Sequence, residues 1–230
     1  MIFRPKNRND TSPDIEISGT KIKEVDKAKF LGVIIDNKLN WSDHTKHVIK
    51  KISKGIGIII KARKFFNQET LLNLYNTMIL PHMSYCIHVW GKAASIHIKK
   101  IHILQKKIVR IISGVRPRTH SLPLFEKLKL MTVYQVYDYY IGVFMYKIYY
   151  KQLPLLFNMF ERTSDVHGYS TRQYDSFYVN YVPTLRSQRS VKFTGYKLWN
   201  VVISKINIHC KIGSYKTNLK KILLTNPNLL

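Results

Sequence analysis

Catalytic sites that use two metal ions need clustered carboxylates, and the aspartates of this sequence are scattered. No two aspartates are adjacent in the 230 residues, and neither a glycine-rich phosphate loop nor an HExxH motif is present. Those that stand singly include Asp36, Asp43, Asp138 and Asp175. Ser113 and Ser121 lack the context of a nucleophile elbow. The residues alone therefore predict no catalytic group and no metal ligand.

Histidine and cysteine residues leave a zinc site as an alternative. His44 and His47 are spaced for one face of a helix, and the segment "HMSYCIH" groups His82, Cys86 and His88. This spacing fits no standard zinc signature, and no convincing fourth ligand is present. We therefore expect His44 and His47 at the start of a helix and Cys86 in the core.

The charge balance points to a polyanionic partner. The chain has 38 Lys and Arg against 13 Asp and Glu, a formal net charge of +25. Such an excess is typical of nucleic-acid binding, although a generally lysine-rich composition is the alternative. Two cysteines cannot form a disulfide framework, which favours an intracellular location without choosing nucleus or cytoplasm. No segment reaches the roughly 18 uncharged apolar residues of a membrane helix, so no membrane partner is expected.

The first 40 residues have strand-like patterns. Ile15 and Ile17 alternate before a Gly19-Thr20 turn and Ile22, which predicts a hairpin. The run 30–35, "FLGVII", is apolar on both faces of a strand, which indicates part of a larger sheet.

After Asn40 the pattern becomes helical, with two opposite faces and a start capped by Ser42 or Asn40. The apolar face contains Val48, Ile49, Ile52, Ile56, Ile59 and Ile60. The opposite face contains Lys46, Lys50, Lys54, Lys61 and Lys64. We expect this lysine face to bind phosphates, because each neutralised phosphate releases condensed counterions.

Two further helices are predicted. Asn67 caps a helix that Pro81 kinks or ends, with an apolar stripe of Leu71, Leu74, Tyr75, Met78 and Ile79. A third helix ends at Gly114 and buries Ile101, Leu104, Ile108, Ile111 and Ile112. It turns Lys99, Lys106 and Arg110 outward. Glu69 and Glu126 are the only acids between His44 and Lys129, so these basic faces have few counter-charges.

An aromatic stripe follows the segment 116–130, which is predicted as a linker followed by a short helix. Its members, at helical spacing, are Tyr134, Tyr137, Ile141, Phe144 and Ile148. Aromatic residues interleaved with lysine can stack on bases, but a stripe at this spacing is more typical of a core.

Several of these segments together resemble reverse transcriptases of non-LTR retrotransposons, particularly the jockey-like LINE elements. They include "KFLGVIIDNKLNWSDHTKHVIKKISKGIGII", "LLNLYNTMILPHMSYCIHVWG", "LQKKIVRIISG", "PLFEKLKLMTVYQVY", "FMYKIYYKQLP" and "HGYSTR". "GYKLWN" is a weaker match, and "WNVVIS" departs from the Trp-Asn-x-Leu-Pro common in the family.

The resemblance implies an α+β, mostly α chain: a palm remnant with a short β-hairpin over 1–40, a helical thumb over 41–115 and a helical C-terminal region over 116–230. It implies that the hairpin residues Phe30, Leu31 and Gly32 act like a primer grip, and that Asp36 is a turn residue. The thumb would close over a template–primer duplex of RNA and/or DNA. The family's metal-binding carboxylates would precede residue 1, so no cofactor is expected in this chain, whereas Mg²⁺ is implied for the intact enzyme.

Three functional hypotheses follow. The chain is a fragment of a retrotransposon RNA-directed DNA polymerase that binds template–primer without catalysis of its own. Alternatively, it is a retained stand-alone nucleic-acid-binding module, or a nonfunctional relic. An oligomeric state is not predicted.

Overall fold

Two antiparallel hairpins open the part of the chain that the structure describes. The computed structural model describes residues 1–3, 15–153, 160–166, 176–179 and 181–226, so the segment "HGYSTR" lies outside the described residues. Strand β1 (Glu16–Ile17) pairs with β2 (Thr20–Lys21). The turn is formed by Ser18 and Gly19, both at positive φ, and not by Gly19 and Thr20, because Thr20 already pairs with Ile17.

The second hairpin is formed by β3 (Lys27–Phe30) and β4 (Val33–Asp36). Leu31 and Gly32 form its two-residue turn, with φ of 44° and 82°. Glycine suits this turn because the left-handed conformation costs it little. Val33 is buried, and β4 packs on the first helix, so the helix supplies cover for one side of the hairpin.

Helices form the rest of the described chain, which confirms the predicted α+β, mostly α class. Their bounds are α1 Ser42–Ala62, α2 Gln68–Met78, α3 Leu80–Ser84, α4 Ile87–Trp90, α5 Ser95–Ile112, α6 Leu122–Lys127, α7 Val133–Tyr149, α8 Thr163–Val166, α9 Leu185–Gln188, α10 Val191–Ile203 and α11 Ile212–Thr225. No helix in these ranges is long and apolar enough to cross a membrane.

Helix α1 begins differently from the prediction. Its N-cap is Trp41, and neither Ser42 nor Asn40 caps it by a side chain. The carboxylate of Asp36 instead accepts hydrogen bonds of 3.0 Å from the backbone N–H groups of Asn40 and Trp41. Asp36 thus fixes the turn between β4 and α1, which confirms its predicted role. The cap predicted at Asn67 is also confirmed, since its side chain accepts from the N–H of Thr70 at 2.9 Å.

Helix α7 joins the two halves of the described fold. It packs against α3, α4 and α5 on one part of its surface and against α10 and α11 on another. Its stripe residues Tyr137, Ile141 and Ile148 are buried, which confirms the core interpretation for them, whereas Tyr134 is 44% exposed. The division of the chain at residues 40 and 115 stays a prediction, because one continuous cluster of buried side chains spans the helices.

A buried glutamine fixes the start of α7. The side-chain nitrogen of Gln105, on α5, donates to the hydroxyl of Tyr75 and to the carbonyl of Met131, both at 2.8 Å. Its side-chain oxygen accepts from the N–H of Val133 at 2.9 Å. Thr132 and Gln135 add a reciprocal capping box at the same helix end. Helices α2, α5 and α7 are therefore held together by one fully buried amide.

Candidate nucleic-acid interface

The outer face of α1 carries a row of exposed lysines that is interrupted between Lys54 and Lys61. The α1 lysine stripe consists of Lys46, Lys50, Lys54 and Lys61, and all four residues are exposed. They share one side of the helix because α1 buries the opposite side. Gly57 is exposed on the same side, and Lys64 is exposed just beyond the helix end. The structure thus brings together the lysines that the sequence placed on one face.

Few carboxylates lie along this helix. Asp43, in the first turn, pairs with Lys46 at 3.4 Å and with Lys27 at 3.6 Å. These are exposed pairs, which contribute little to stability and leave the lysines accessible. The next acid in the sequence is Glu69, on α2. Lys50, Lys54 and Lys61 consequently form a region of positive potential beyond the single acidic residue at the helix start.

The basic residues predicted on α5 have more varied surroundings. Lys99 is exposed, whereas Lys106 and Arg110 are half-buried. The guanidinium Nε of Arg110 donates to the carbonyl of Thr119 at 2.7 Å, so this side chain holds the loop after α5. The exposed face of α5 also includes Ile96 and Ile103. Helix α5, which packs on α1, therefore offers a mixed basic and apolar surface.

The hairpin residues proposed as a primer-grip-like element lie at an exposed tip. Phe30 and Leu31 are 64% and 74% exposed, although both are large and apolar. The hydroxyl of Tyr85, which follows α3, donates to the carbonyl of Leu31 at 2.6 Å. A methyl group on Gly32 would lie 3.5 Å from the Tyr85 ring. The tip is thus attached to the helical layer rather than projecting freely.

A cavity of about 320 Å³ lies between this tip and α1. Its polar lining consists of His44, His47, Lys51, His82 and Tyr85. Burial, followed by the charges of His47 and Lys51, lowers the pKa of His44 to about 4. Partial burial and nearby lysines also lower the pKa of His47, and burial lowers that of His82. These imidazoles are therefore mainly neutral at pH 7, and Lys51 supplies the charge.

His44 lies at the start of α1 as predicted, but its side chain is buried. Its Nδ1 accepts a hydrogen bond of 3.3 Å from the N–H of Ile34, on β4. Its ring packs edge-on against Trp90 with centroids 5.3 Å apart. The Nε2 atom is buried without a hydrogen-bond partner in the described structure. His44 therefore connects the hairpin, α1 and α4.

The zinc alternative is not supported by the geometry. Within the described residues, no group of three or more His, Cys, Asp or Glu side chains could hold a metal ion. His88 instead stacks on Phe144 with centroids 6.1 Å apart, and half-buried Cys86 packs against the core. The same finding means that these residues do not fit the pair of Mg²⁺ ions implied for the intact enzymes that the chain resembles.

Sequence reasoning missed several cations beside the predicted set. Lys51 lies next to the α1 lysine stripe and is exposed. A separate group, near the start of α1, consists of Lys38, Lys92, Arg186 and Arg189. The spacing of Arg186 and Arg189, three residues apart, was a signal that could have identified part of that group.

Comparison with known proteins relates the chain to retrotransposon polymerases. A segment of 137 residues, 58% of the chain, is 28% identical to the probable RNA-directed DNA polymerase from transposon X-element of Drosophila melanogaster. A segment of 111 residues, 47% of the chain, is 31% identical to the RNA-directed DNA polymerase from mobile element jockey of the same species. A third relative, the probable RNA-directed DNA polymerase from transposon BS, is 25% identical over 137 residues.

These relatives confirm the resemblance to jockey-like polymerases. The aligned segments span only 15% of the X-element polymerase and 12% of the jockey polymerase. No protein-family model matches the chain, and no solved structure matches it.

Proposed function

We propose that this chain binds a template–primer nucleic-acid duplex through the α1 lysine stripe, in the manner of a reverse-transcriptase thumb. The observation that carries the proposal is the line of exposed lysines on α1, which has one carboxylate, Asp43, at its start. The similarity to RNA-directed DNA polymerases supports it independently.

The dimensions of the stripe suit a duplex backbone. Lys46 and Lys61 are 15 residues apart, which corresponds to about 22 Å along a helix at ~1.5 Å per residue. The phosphates of one strand rise by about 3.4 Å each along the duplex axis while the strand winds around it, so the four lysines can contact at most one phosphate each. Flexible lysine side chains act as point charges on such a backbone and carry no base specificity. The stripe therefore predicts sequence-independent binding.

The hairpin tip supplies a second element of the same interface. Phe30 and Leu31 are exposed, and the Tyr85 hydrogen bond fixes the tip beside α3. An exposed apolar tip next to basic residues is suited to contact sugars or a terminal base. The primer-grip role of Phe30, Leu31 and Gly32 is part of this proposal.

Nucleotidyl transfer is not assigned to these 230 residues. Transfer by two metal ions needs carboxylates that hold both ions, and the described residues contain no such cluster. The chain accordingly contributes binding, and its partners are RNA and/or DNA.

Equilibrium binding with the purified 230-residue chain tests the proposal. Fluorescence anisotropy with a 16-base-pair RNA–DNA hybrid at increasing NaCl should show binding that weakens steeply and linearly on a log–log plot. Absence of binding at low salt, or binding insensitive to salt, would contradict the proposal.

Primer extension on an RNA template tests the assignment of binding without catalysis. No incorporation is expected with Mg²⁺ or Mn²⁺ present. Robust metal-dependent incorporation by the purified chain would show that the catalytic conclusion is wrong.

A further inference from the structure

A large basic cavity lies away from the α1 lysine stripe, where α1, α5 and the C-terminal helices meet. Its volume is about 880 Å³. Three separate parts of the chain form its wall: residues 38–42 before and at the start of α1, residues 89–97 around the start of α5, and residues 185–191. The cavity therefore exists only because the C-terminal helices pack beside the first helices.

Cations dominate the polar part of this wall. They are Lys38, Lys92, Arg186 and Arg189, and no Asp or Glu is among the described residues that line the cavity. Lys38, Arg186 and Arg189 are exposed, whereas Lys92 is half-buried with its ammonium 5.2 Å from the centre of the Tyr137 ring. Lys92 lies close enough to Asp138 to lower the pKa of that carboxyl, so its charge is partly compensated. Lys38, Arg186 and Arg189, from two separate segments, have no acidic residue beside them in the described wall, and this favours an anionic ligand.

Beside these cations and the polar Asn40, Ser42 and Ser190, the wall has an apolar part. It includes Trp41, Val89, Ala93 and Leu185, of which Leu185 is 69% exposed. Free phosphate has no apolar group that could pack against such a surface. A nucleotide unit has both a flat apolar base and a charged phosphate, and it matches this combination of side chains.

The concave shape of the site favours single-stranded over double-stranded nucleic acid. In a duplex the bases are paired and stacked inside, so only phosphates and groove edges can contact a protein. A concave site with an apolar wall can instead receive bases that are unstacked, as in proteins that bind single strands.

We infer that this cavity is a second nucleic-acid site that binds a single-stranded segment of RNA or DNA. The inference rests on the proposed function, because it extends the bound nucleic acid beyond the duplex on α1. It gives the C-terminal helices a specific role, because Arg186 and Arg189 contribute phosphate contacts that the first 115 residues alone lack. Backbone N–H groups at the starts of α1, α5 and α10 add to the positive potential of the cavity.

Two variants separate charge from shape. The triple variant Lys38→Gln, Arg186→Gln, Arg189→Gln removes three cations, and Ala94→Trp fills the cavity without changing charge. A matched control, Lys205→Gln, Lys220→Gln, Lys221→Gln, removes three exposed lysines elsewhere. Circular dichroism and thermal unfolding establish that each variant is folded.

The measurement is the affinity for a 12-nucleotide oligo(dT) and for a 16-base-pair hybrid. We expect the triple variant and Ala94→Trp each to weaken oligo(dT) binding at least tenfold, with less than threefold change for the hybrid. The triple variant should also flatten the slope of log K against log salt for oligo(dT) by about 2, because each of the three lost phosphate contacts contributes ~0.7. The lysine control should change the affinities for both ligands equally and by less than threefold.

Three results would overturn the inference while leaving duplex binding by α1 intact. The first is an unchanged oligo(dT) affinity in both variants. The second is an equal loss of affinity for oligo(dT) and for the hybrid. The third is displacement of oligo(dT) by poly-glutamate of equal charge. The proposed function fails separately, if the wild-type chain does not bind the hybrid.

Discussion

The hydroxyl of Tyr85 donates a hydrogen bond of 2.6 Å to the carbonyl of Leu31, a residue 54 positions earlier in the chain. This contact joins the tip of the β3–β4 hairpin to the segment between α3 and α4. Because Leu31 is 74% exposed, little apolar packing holds the tip in place. The Tyr85 hydroxyl therefore determines where Phe30 and Leu31 lie relative to α1.

Replacing Tyr85 by Phe removes this hydrogen bond and keeps the ring beside Gly32. We expect the free energy of unfolding to fall by about 1 kcal/mol or less, because the bond is exposed. Hydrogen exchange should accelerate for the amides of β3 and β4 and remain unchanged for those of α5. Tyr181→Phe, at a residue that is 90% exposed, is the control. If the amide exchange rates in β3 and β4 were the same in Tyr85→Phe and in Tyr181→Phe, the Tyr85 hydroxyl would not hold the tip.

Replacing Gln105 by Ala should be strongly destabilising. Three polar groups lose their partner inside the core: the Tyr75 hydroxyl, the Met131 carbonyl and the Val133 N–H. Each such group costs roughly 1–3 kcal/mol, so urea denaturation should show a total loss of at least about 3 kcal/mol. Gln152→Ala, at an exposed position, should change stability by less than about 0.5 kcal/mol. A loss below about 1 kcal/mol for Gln105→Ala would contradict the role assigned to the buried amide.

His44 should make the protein less stable in acid. Its pKa is about 4 in the fold against 6.5 in the unfolded chain, so the unfolded chain binds a proton first as the pH falls. The resulting loss in the free energy of unfolding is absent above pH 6.5 and reaches about 3 kcal/mol near pH 4. In His44→Asn, unfolding free energies measured from pH 7.5 to 4.5 should decline less than in the wild type. His209→Asn, at an exposed site, should retain the wild-type decline, and an equal decline in His44→Asn would refute the prediction.

Asp138 has the opposite dependence on pH. Burial raises its pKa to about 6, partly opposed by the charge of Lys92. Stability that comes from the protonated carboxyl is therefore lost as the pH rises from about 4 through 6. Asp138→Asn should increase the melting temperature at pH 7.5, by the equivalent of up to about 3 kcal/mol, and the gain should vanish near pH 4. A melting temperature at pH 7.5 that matches the exposed control Glu126→Gln would contradict this expectation.

Local signals in the sequence predicted the elements well. The period of α1 separated its buried isoleucines from the α1 lysine stripe, and the side chain of Asn67 identified the start of α2. Such features depend on residues within one or two helical turns, so the spacing alone contains them.

Contacts between distant segments were not predictable in the same way. The partners of Gln105 come from three elements, and the basic cavity combines residues from 38 to 191. A single polar residue on an apolar helix face gives no indication of which groups it will meet. The zinc alternative shows the converse: His82, Cys86 and His88 are close in sequence, but they do not form a metal-binding cluster in the described structure.

The salt dependence of duplex binding tests the central claim most directly. Lys46, Lys50, Lys54 and Lys61 are changed together to Gln, and the matched control changes the exposed Lys127, Lys205, Lys220 and Lys221. Both variants lose four charges, but the slope of log K against log salt should flatten by about 3.6 only in the first, because each of the four lost phosphate contacts contributes ~0.9 on duplex DNA. An unchanged slope in the α1 variant, or the same change in both variants, would contradict duplex binding by the α1 lysine stripe.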